Sequence, residues 1–438
     1  MDKKGRAITP KSQTLWVYHD AFSVTQLKKT HSPRIHQTTT HSKMNTLDTM
    51  GCTMSVTIIG AISEICAQEW NMLVDDTNPF IRYEFLAALE NHQCVGQHFG
   101  WVPQHITLRN EQNKLIGAVP LYLKDNSYGE FVFDWAWAEA YQRGGLNYYP
   151  KLVASIPYTP VTGPRLLIHP DATDGQVAET LISAALTHAK HLKVSSLHWL
   201  FTHKTDTNIL QKLGFMTRLG CQFHWNNLNA NNQNYANFDE FLGSFTAAKR
   251  KKVKRERRHV SEAGIRFEIL SGHEISDSQW TTYYRYYAST FAKLGGHATL
   301  SEGFFRELGD RMPDNVVLIM AMHNTKAIAA AFSLRGKDTL YGRHWGCEQD
   351  YNSLHFEACY YQGLEYCIRH KLQRFEPGAQ GEHKISRGFL PQATYSAHWI
   401  ASETFQPAIA NFLRYETEEM QRYINELQVH SPYKNKVS

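Results

Sequence analysis

The chain lacks any apolar run of about eighteen residues, so no transmembrane helix is expected. Its seven cysteines are an odd number, scattered singly at Cys52, Cys66, Cys94, Cys221, Cys347, Cys359 and Cys367, with no C-x-x-C. That spacing argues against a disulfide framework or a cysteine zinc site, and for reduced thiols in a cytoplasmic protein. Histidines are plentiful, yet no H-E-x-x-H or comparable spacing occurs, so no metal site is expected. There is no G-x-S-x-G and no cysteine–histidine signature, which argues against a covalent nucleophile. A net charge of +5 is too small to imply general nucleic-acid affinity.

What is present suits a globular protein. The 438 residues, 42% of them apolar, can build two ordinary domains with full cores. Residues 1–55 are rich in Thr, Ser, His and Lys and poor in acids. They read as disordered or as an upstream extension, with a composition that a transit peptide would also show. A first domain is expected over 56–230. An Asn-rich polar linker and a basic helix span 231–265, a second domain covers 266–400, and a closing helix and tail fill 401–438. Pro407 sits where the closing helix would start.

The two central parts repeat a pattern. In the first, a strand near His105–Arg109 turns into I-G-A-V-P-L-Y-L, then K-D-N-S-Y-G at Lys124–Gly129, then F-V-F-D-W-A-W, read as an aromatic strand. In the second, V-V-L-I-M-A-M turns into I-A-A-A-F-S-L, then K-D-T-L-Y-G at Lys337–Gly342, then R-H-W-G-C. These are antiparallel hairpins, each followed by a helix and a strand. The duplication predicts an α+β fold, each unit a mixed, mostly antiparallel sheet flanked by helices.

The densest cluster of chemistry is the loop R-F-E-P-G-A-Q-G-E-H-K-I-S-R-G-F, Arg374–Phe389. Its glycines let backbone approach a ligand closely, and Gln380, Glu382, His383, Lys384 and Arg387 lie between them. The helix before it opens with Asn352 and Ser353, which cap it, and carries His355 and Glu357 in its first turn. Two residues apart on a helix, those side chains do not share a face.

The hairpins, the helix and L-x-K-L-G-F at Leu210–Phe215 resemble the GNAT acyltransferase fold. The tandem arrangement resembles the FemAB-like N-acyltransferases. So do the basic segment Phe238–Ile265, P-Y-T-P-V-T-G-P-R-L-L, L-H-F-E-A-C-Y-Y-Q-G-L-E-Y-C-I and the glycine loop, in particular a subfamily of predicted peptidoglycan biosynthesis or recognition. The resemblance implies two tandem GNAT-like domains and transfer of an acyl or aminoacyl group to a small-molecule or peptide amine.

Such transfer passes through a tetrahedral oxyanion and needs a proton acceptor rather than a nucleophile. Expected catalytic residues are therefore Glu382, His383, His355 and Glu357. Lys384, Arg387, Gln380, Asp134, Arg165 and Arg343 are expected to bind substrate. Asp134 draws notice as an acid among aromatics, costly there unless paired. The phosphate loop Q/R-x-x-G-x-G/A of typical GNAT enzymes is missing from both halves, which leaves acyl-CoA and aminoacyl-tRNA both open as donor. Lys249–Arg258, eight of whose ten residues are Lys or Arg, is a candidate tRNA-binding face. Two other readings stand beside the transferase: a non-catalytic peptide- or peptidoglycan-binding module of the same fold, and an RNA-binding protein using that helix.

Overall fold

The computed structural model describes residues 43–49, 52–172, 175–293, 295–349, 351–379 and 381–434. The strands are β1 (Lys43–Thr49), β2 (Cys52–Ile59), β3 (Val102–Pro103), β4 (His105–Arg109), β5 (Leu115–Val119), β6 (Leu121–Lys124), β7 (Lys151–Ala154) and β8 (Leu167–Ile168). They continue as β9 (Ser196–Leu200), β10 (Met216–Asn226), β11 (Ile265–Leu270), β12 (Val316–His323), β13 (Lys326–Arg335), β14 (Thr339–Cys347), β15 (Arg374–Glu376) and β16 (Leu390–Ile400). Strand structure thus begins at Lys43, ahead of the boundary expected at 55, because β1 pairs antiparallel with β2. The segment 1–42 lies outside the described residues.

The strands form two sheets, β1-β2-β4-β5-β8 and β11-β12-β13-β14-β15-β10-β16-β9-β7-β6-β3. The run I-G-A-V-P-L-Y-L, expected as one strand, breaks at Pro120, so β5 joins the first sheet and β6 the second. A proline offers no N–H to a ladder, so the break falls where pairing must stop. The aromatic segment is likewise not a strand. Phe131 has φ +59°, and Trp135–Arg143 is a helix with Asp134 at its start.

The repeat is real in topology. β6 pairs antiparallel with β7, which runs parallel to β9. β13 pairs antiparallel with β14, which runs parallel to β15. Lys124 ends β6 and Lys337 follows β13, so the K-D-x-x-Y-G segments leave matching strands; only the first half then inserts a helix before its next strand. The last strands are exchanged between halves. β16 pairs with β9 of the first half, β10 pairs with β15 of the second, and β10 and β16 pair with each other from Met216↔His398 to His224↔Leu390.

The cores merge as well. Phe85 meets Phe304 edge-on at 5.6 Å, and Phe80 meets Tyr341 at 5.3 Å, joining residues far apart in sequence. Burying such rings contributes about 1.5–3 kcal/mol each. The Asn-rich stretch expected as a plain linker is pinned at its start. Buried Asn227 donates to the Leu372 carbonyl at 2.9 Å and accepts from the Tyr235 amide at 3.1 Å. The closing helix is Gln406–Val429. Among the described residues, no helix is long and apolar enough to cross a membrane.

One consequence of the topology positions the site. β14 and β15 are paired only from Thr339↔Arg374 to Tyr341↔Glu376. Beyond Tyr341, β14 continues to Cys347, while the chain after Glu376 leaves the sheet through Pro377 and Gly378, at φ +98°. Proline cannot donate to the ladder, and the positive φ favours glycine, so these two residues end the pairing and open a gap.

Candidate active site

The gap between β14 and the glycine loop is a cleft of ≈ 240 Å³. Its walls include Arg343, His344 and Trp345 from β14, His355 and Tyr360 from the helical segment, and His383 and Lys384 from the loop. The helical segment runs Leu354–Phe356, then a π turn at Glu357–Tyr361, then Gln362–Arg369. A π turn is a local irregularity that often marks a functional site. The His355 ring lies 5.4 Å from both the Trp345 and Tyr360 rings and 6.4 Å from that of His383. Tyr360 and His383 share a hydrogen bond of 2.9 Å between Oη and Nε2.

The electrostatics favour neutral bases. Burial, helped by neighbouring cations, lowers His355 and His383 each to about 4. Burial, with Arg343 nearby, lowers Lys384 to about 7, and its Nζ donates to the Gly378 carbonyl at 2.8 Å. Arg343 is lowered by burial only to about 10 and stays cationic. It donates to the Tyr158 carbonyl at 3.1 Å. Cys359 lines the cleft too, but burial pushes its thiol up, so it is no thiolate nucleophile.

Four of the expected residues therefore meet in one cleft: His355, His383, Lys384 and Arg343. Five do not. Glu382 is exposed and accepts from the Tyr423 hydroxyl on the closing helix at 2.8 Å. Glu357 points the other way, as its offset from His355 requires, and accepts from Arg257 at 3.0 Å and Gln362 at 2.8 Å. Arg387 is spent on structure. It forms a two-point pair with Glu256 and its guanidinium lies 3.4 Å above the Phe356 ring centroid. Arg165 is buried and donates to the carbonyls of Leu200, Val161 and Pro164. Gln380 lies outside the described residues.

Asp134 belongs to a separate, fully buried polar cluster. It accepts from the Tyr148 hydroxyl at 2.6 Å and from Lys151, whose Nζ also donates to Glu130 and Ser127, each at 2.8 Å. Burial would raise Asp134, but Lys151 and His198 outweigh it and hold the carboxyl well below its usual range. Burial wins at Glu130, which is pushed up to about 7.

The cleft also has walls that sequence reasoning passed over: Phe131, Phe133 and Tyr360. Aromatics at these spacings read as core, and only the strand parting turns them toward a cavity. The one available signal was the density of aromatics beside the first K-D-x-x-Y-G segment.

No curated protein matches the chain. Solved structures that resemble it include FemX, with TM-score 0.48 and 11% identity over 79% of this chain and 98% of that one. The C-terminal domain of a putative lysylphosphatidylglycerol synthetase from Agrobacterium fabrum gives TM-score 0.47 and 7% identity over 80% and 94%. A tandem GNAT protein from the clavulanic acid biosynthesis pathway, solved without acetyl-CoA, gives TM-score 0.42 and 10% identity over 80% and 99%. The chain itself builds a five-stranded antiparallel sheet and an eleven-stranded mixed sheet, the larger drawing strands from both halves. A family model described as peptidoglycan biosynthesis/recognition matches residues 61–435, and the chain belongs to that FemAB-like family.

Proposed function

We propose that this protein is an N-acyltransferase that moves an acyl or aminoacyl group onto an amine by direct attack. The observation that carries the reading is the parting of β14 and β15 above a cleft holding His355, His383, Lys384 and Arg343. The attacking amine must lose a proton as its nitrogen bonds the donor carbonyl carbon. His355 and His383 are unprotonated at neutral pH, and Lys384 is about half so. Lys384, near 7, is the proton acceptor best matched to that step, while the two imidazoles are weaker bases that can relay the proton. Arg343 faces the developing oxyanion or an anionic part of the donor. The Tyr360–His383 hydrogen bond gives the proton a route away from the amine. Family membership supports an amine-bearing cell-wall peptide as acceptor.

The donor is an acyl-CoA or an aminoacyl-tRNA. The helix Ala247–Glu262 keeps Lys251, Lys254, Arg255 and Arg258 exposed, and such a face attracts a polyanion. Arg257 is not available for this, being paired with Glu357 and Glu365.

The test incubates the purified chain with acyl-CoA and aminoacyl-tRNA donors and amine-bearing peptides, and reads the new amide by mass spectrometry. Product is expected with the native chain and about a hundredfold less with Lys384→Met. No product from any donor–acceptor pair, or full turnover by Lys384→Met and His383→Ala alike, rejects the reading.

A further inference from the structure

A second cavity, also ≈ 240 Å³, opens from the side of the cleft. The two share Phe131, Phe133, Arg343, His344, Gly378 and Ala379, so whatever enters one reaches the other. The side chamber is walled chiefly by aromatic carbon, from Tyr128, Phe131, Trp135, Tyr158 and Phe291. Its back wall is rigid. Tyr158 donates to the Cys94 carbonyl at 2.9 Å, and its own carbonyl accepts from Arg343 at 3.1 Å. Gly129, at φ +78°, lies so close that a Cβ there would sit 2.6 Å from the Tyr158 ring. An aromatic-lined hollow of this kind gains most from an apolar occupant.

The charges narrow that occupant further. Among the described residues, no Asp or Glu lines either cavity, while Arg343 and Lys384 line the cleft. An aminoacyl group carries an α-ammonium, which would find the Arg343 guanidinium and no carboxylate here. An acyl group without that ammonium meets no such penalty, and its carbonyl oxygen gains from the same guanidinium.

Resting on the transferase reading above, we propose that the donated group is an aliphatic acyl chain longer than acetyl that carries no ammonium. Its tail fills the aromatic side chamber and its carbonyl sits by Arg343. In the reaction the donor's C–S or C–O bond breaks and a C–N bond forms. The proton lost by the amine passes through the cleft bases to the departing thiolate or alkoxide.

The experiment titrates the full chain with straight-chain alkanoates from acetate to octanoate, by calorimetry and tryptophan fluorescence. Affinity is expected to tighten about fourfold per methylene beyond butyrate, as burial of each CH₂ predicts. The chain-length-dependent part of the fluorescence change should be lost in Trp135→Phe, leaving only what Trp345 of the cleft reports. Thr299→Trp fills the chamber without touching the cleft and should flatten the series while acetate binding persists. Tyr128→Ala, at a partly exposed position, is the second variant should the first not fold, and should weaken octanoate several-fold. A flat series in the native chain, or octanoate binding unchanged in the folded variants, overturns the proposal. So does kcat/KM higher for an aminoacyl than for an octanoyl donor. A steep series without turnover of any donor instead sinks the transferase reading and leaves the chamber standing.

Discussion

Arg387 and Glu256 form a buried two-point ion pair, Nη2 to Oε1 at 2.7 Å and Nε to Oε2 at 3.1 Å. It ties the glycine loop to the basic helix, and the Tyr361 hydroxyl closes on the same carboxylate. The loop that lines the cleft is therefore held from below by a residue of the helix Ala247–Glu262.

Removing one partner of this pair leaves a buried charge with nothing to offset it. Glu256→Ala should cost about 3–5 kcal/mol, measured as a lower urea midpoint. Glu256→Ala combined with Arg387→Met should recover part of that loss. If Glu256→Ala unfolds at the native midpoint, the pair is not holding the loop.

Lys384 predicts two pH dependences. As proton acceptor it must be neutral, so turnover should rise with pH through about 7 and level off above. Lys384→Met should lose that limb along with most of the rate. The stability effect has the same sign. Burial favours the neutral amine in the folded chain, so between about 7 and the ordinary lysine value the unfolded chain binds more protons. Stability relative to Lys384→Met should therefore increase as pH rises across that range. Matching stability–pH curves for the two proteins would contradict the burial argument.

Glu382 and Glu357 give opposite controls. Glu382 is exposed and accepts from the Tyr423 hydroxyl, so Glu382→Gln should leave turnover within about twofold, a surface change of small consequence. Glu357 is buried against Arg257, so Glu357→Gln should lower stability by about 1–3 kcal/mol with kcat little altered. A thousandfold loss of kcat in Glu382→Gln would return the base to the loop surface.

Lys151 is the sole cation hydrogen-bonded to both Asp134 and Glu130 among the described residues. Lys151→Met should destabilise the first unit by about 3–5 kcal/mol, because Asp134 would stay buried with no counter-charge. Denaturant titration checks this, with Tyr149→Phe, which removes only the hydrogen bond to Ser127, as a mild comparison.

Local pattern carried the parts of this protein that depend on neighbours in sequence. Hairpins, the basic helix and the closing helix follow from local pattern and turn residues. The family resemblance follows from long motifs. The glycine loop and His355 stood out because ionisable residues beside glycines are visible in any one-dimensional reading. Tertiary structure decided what local pattern cannot encode. It exchanged β10 and β16 between halves, since each strand's partner lies far along the chain. It turned Glu357 and Arg387 into props for the basic helix, because a carboxylate or guanidinium pairs with whichever opposite charge packing brings near. It also split the aromatic segment into a cleft wall and a helix, drawing Asp134 to Lys151. Whether a charged side chain acts as ligand or as scaffold depends on burial and partners. Those exist only once distant segments of the chain have packed together.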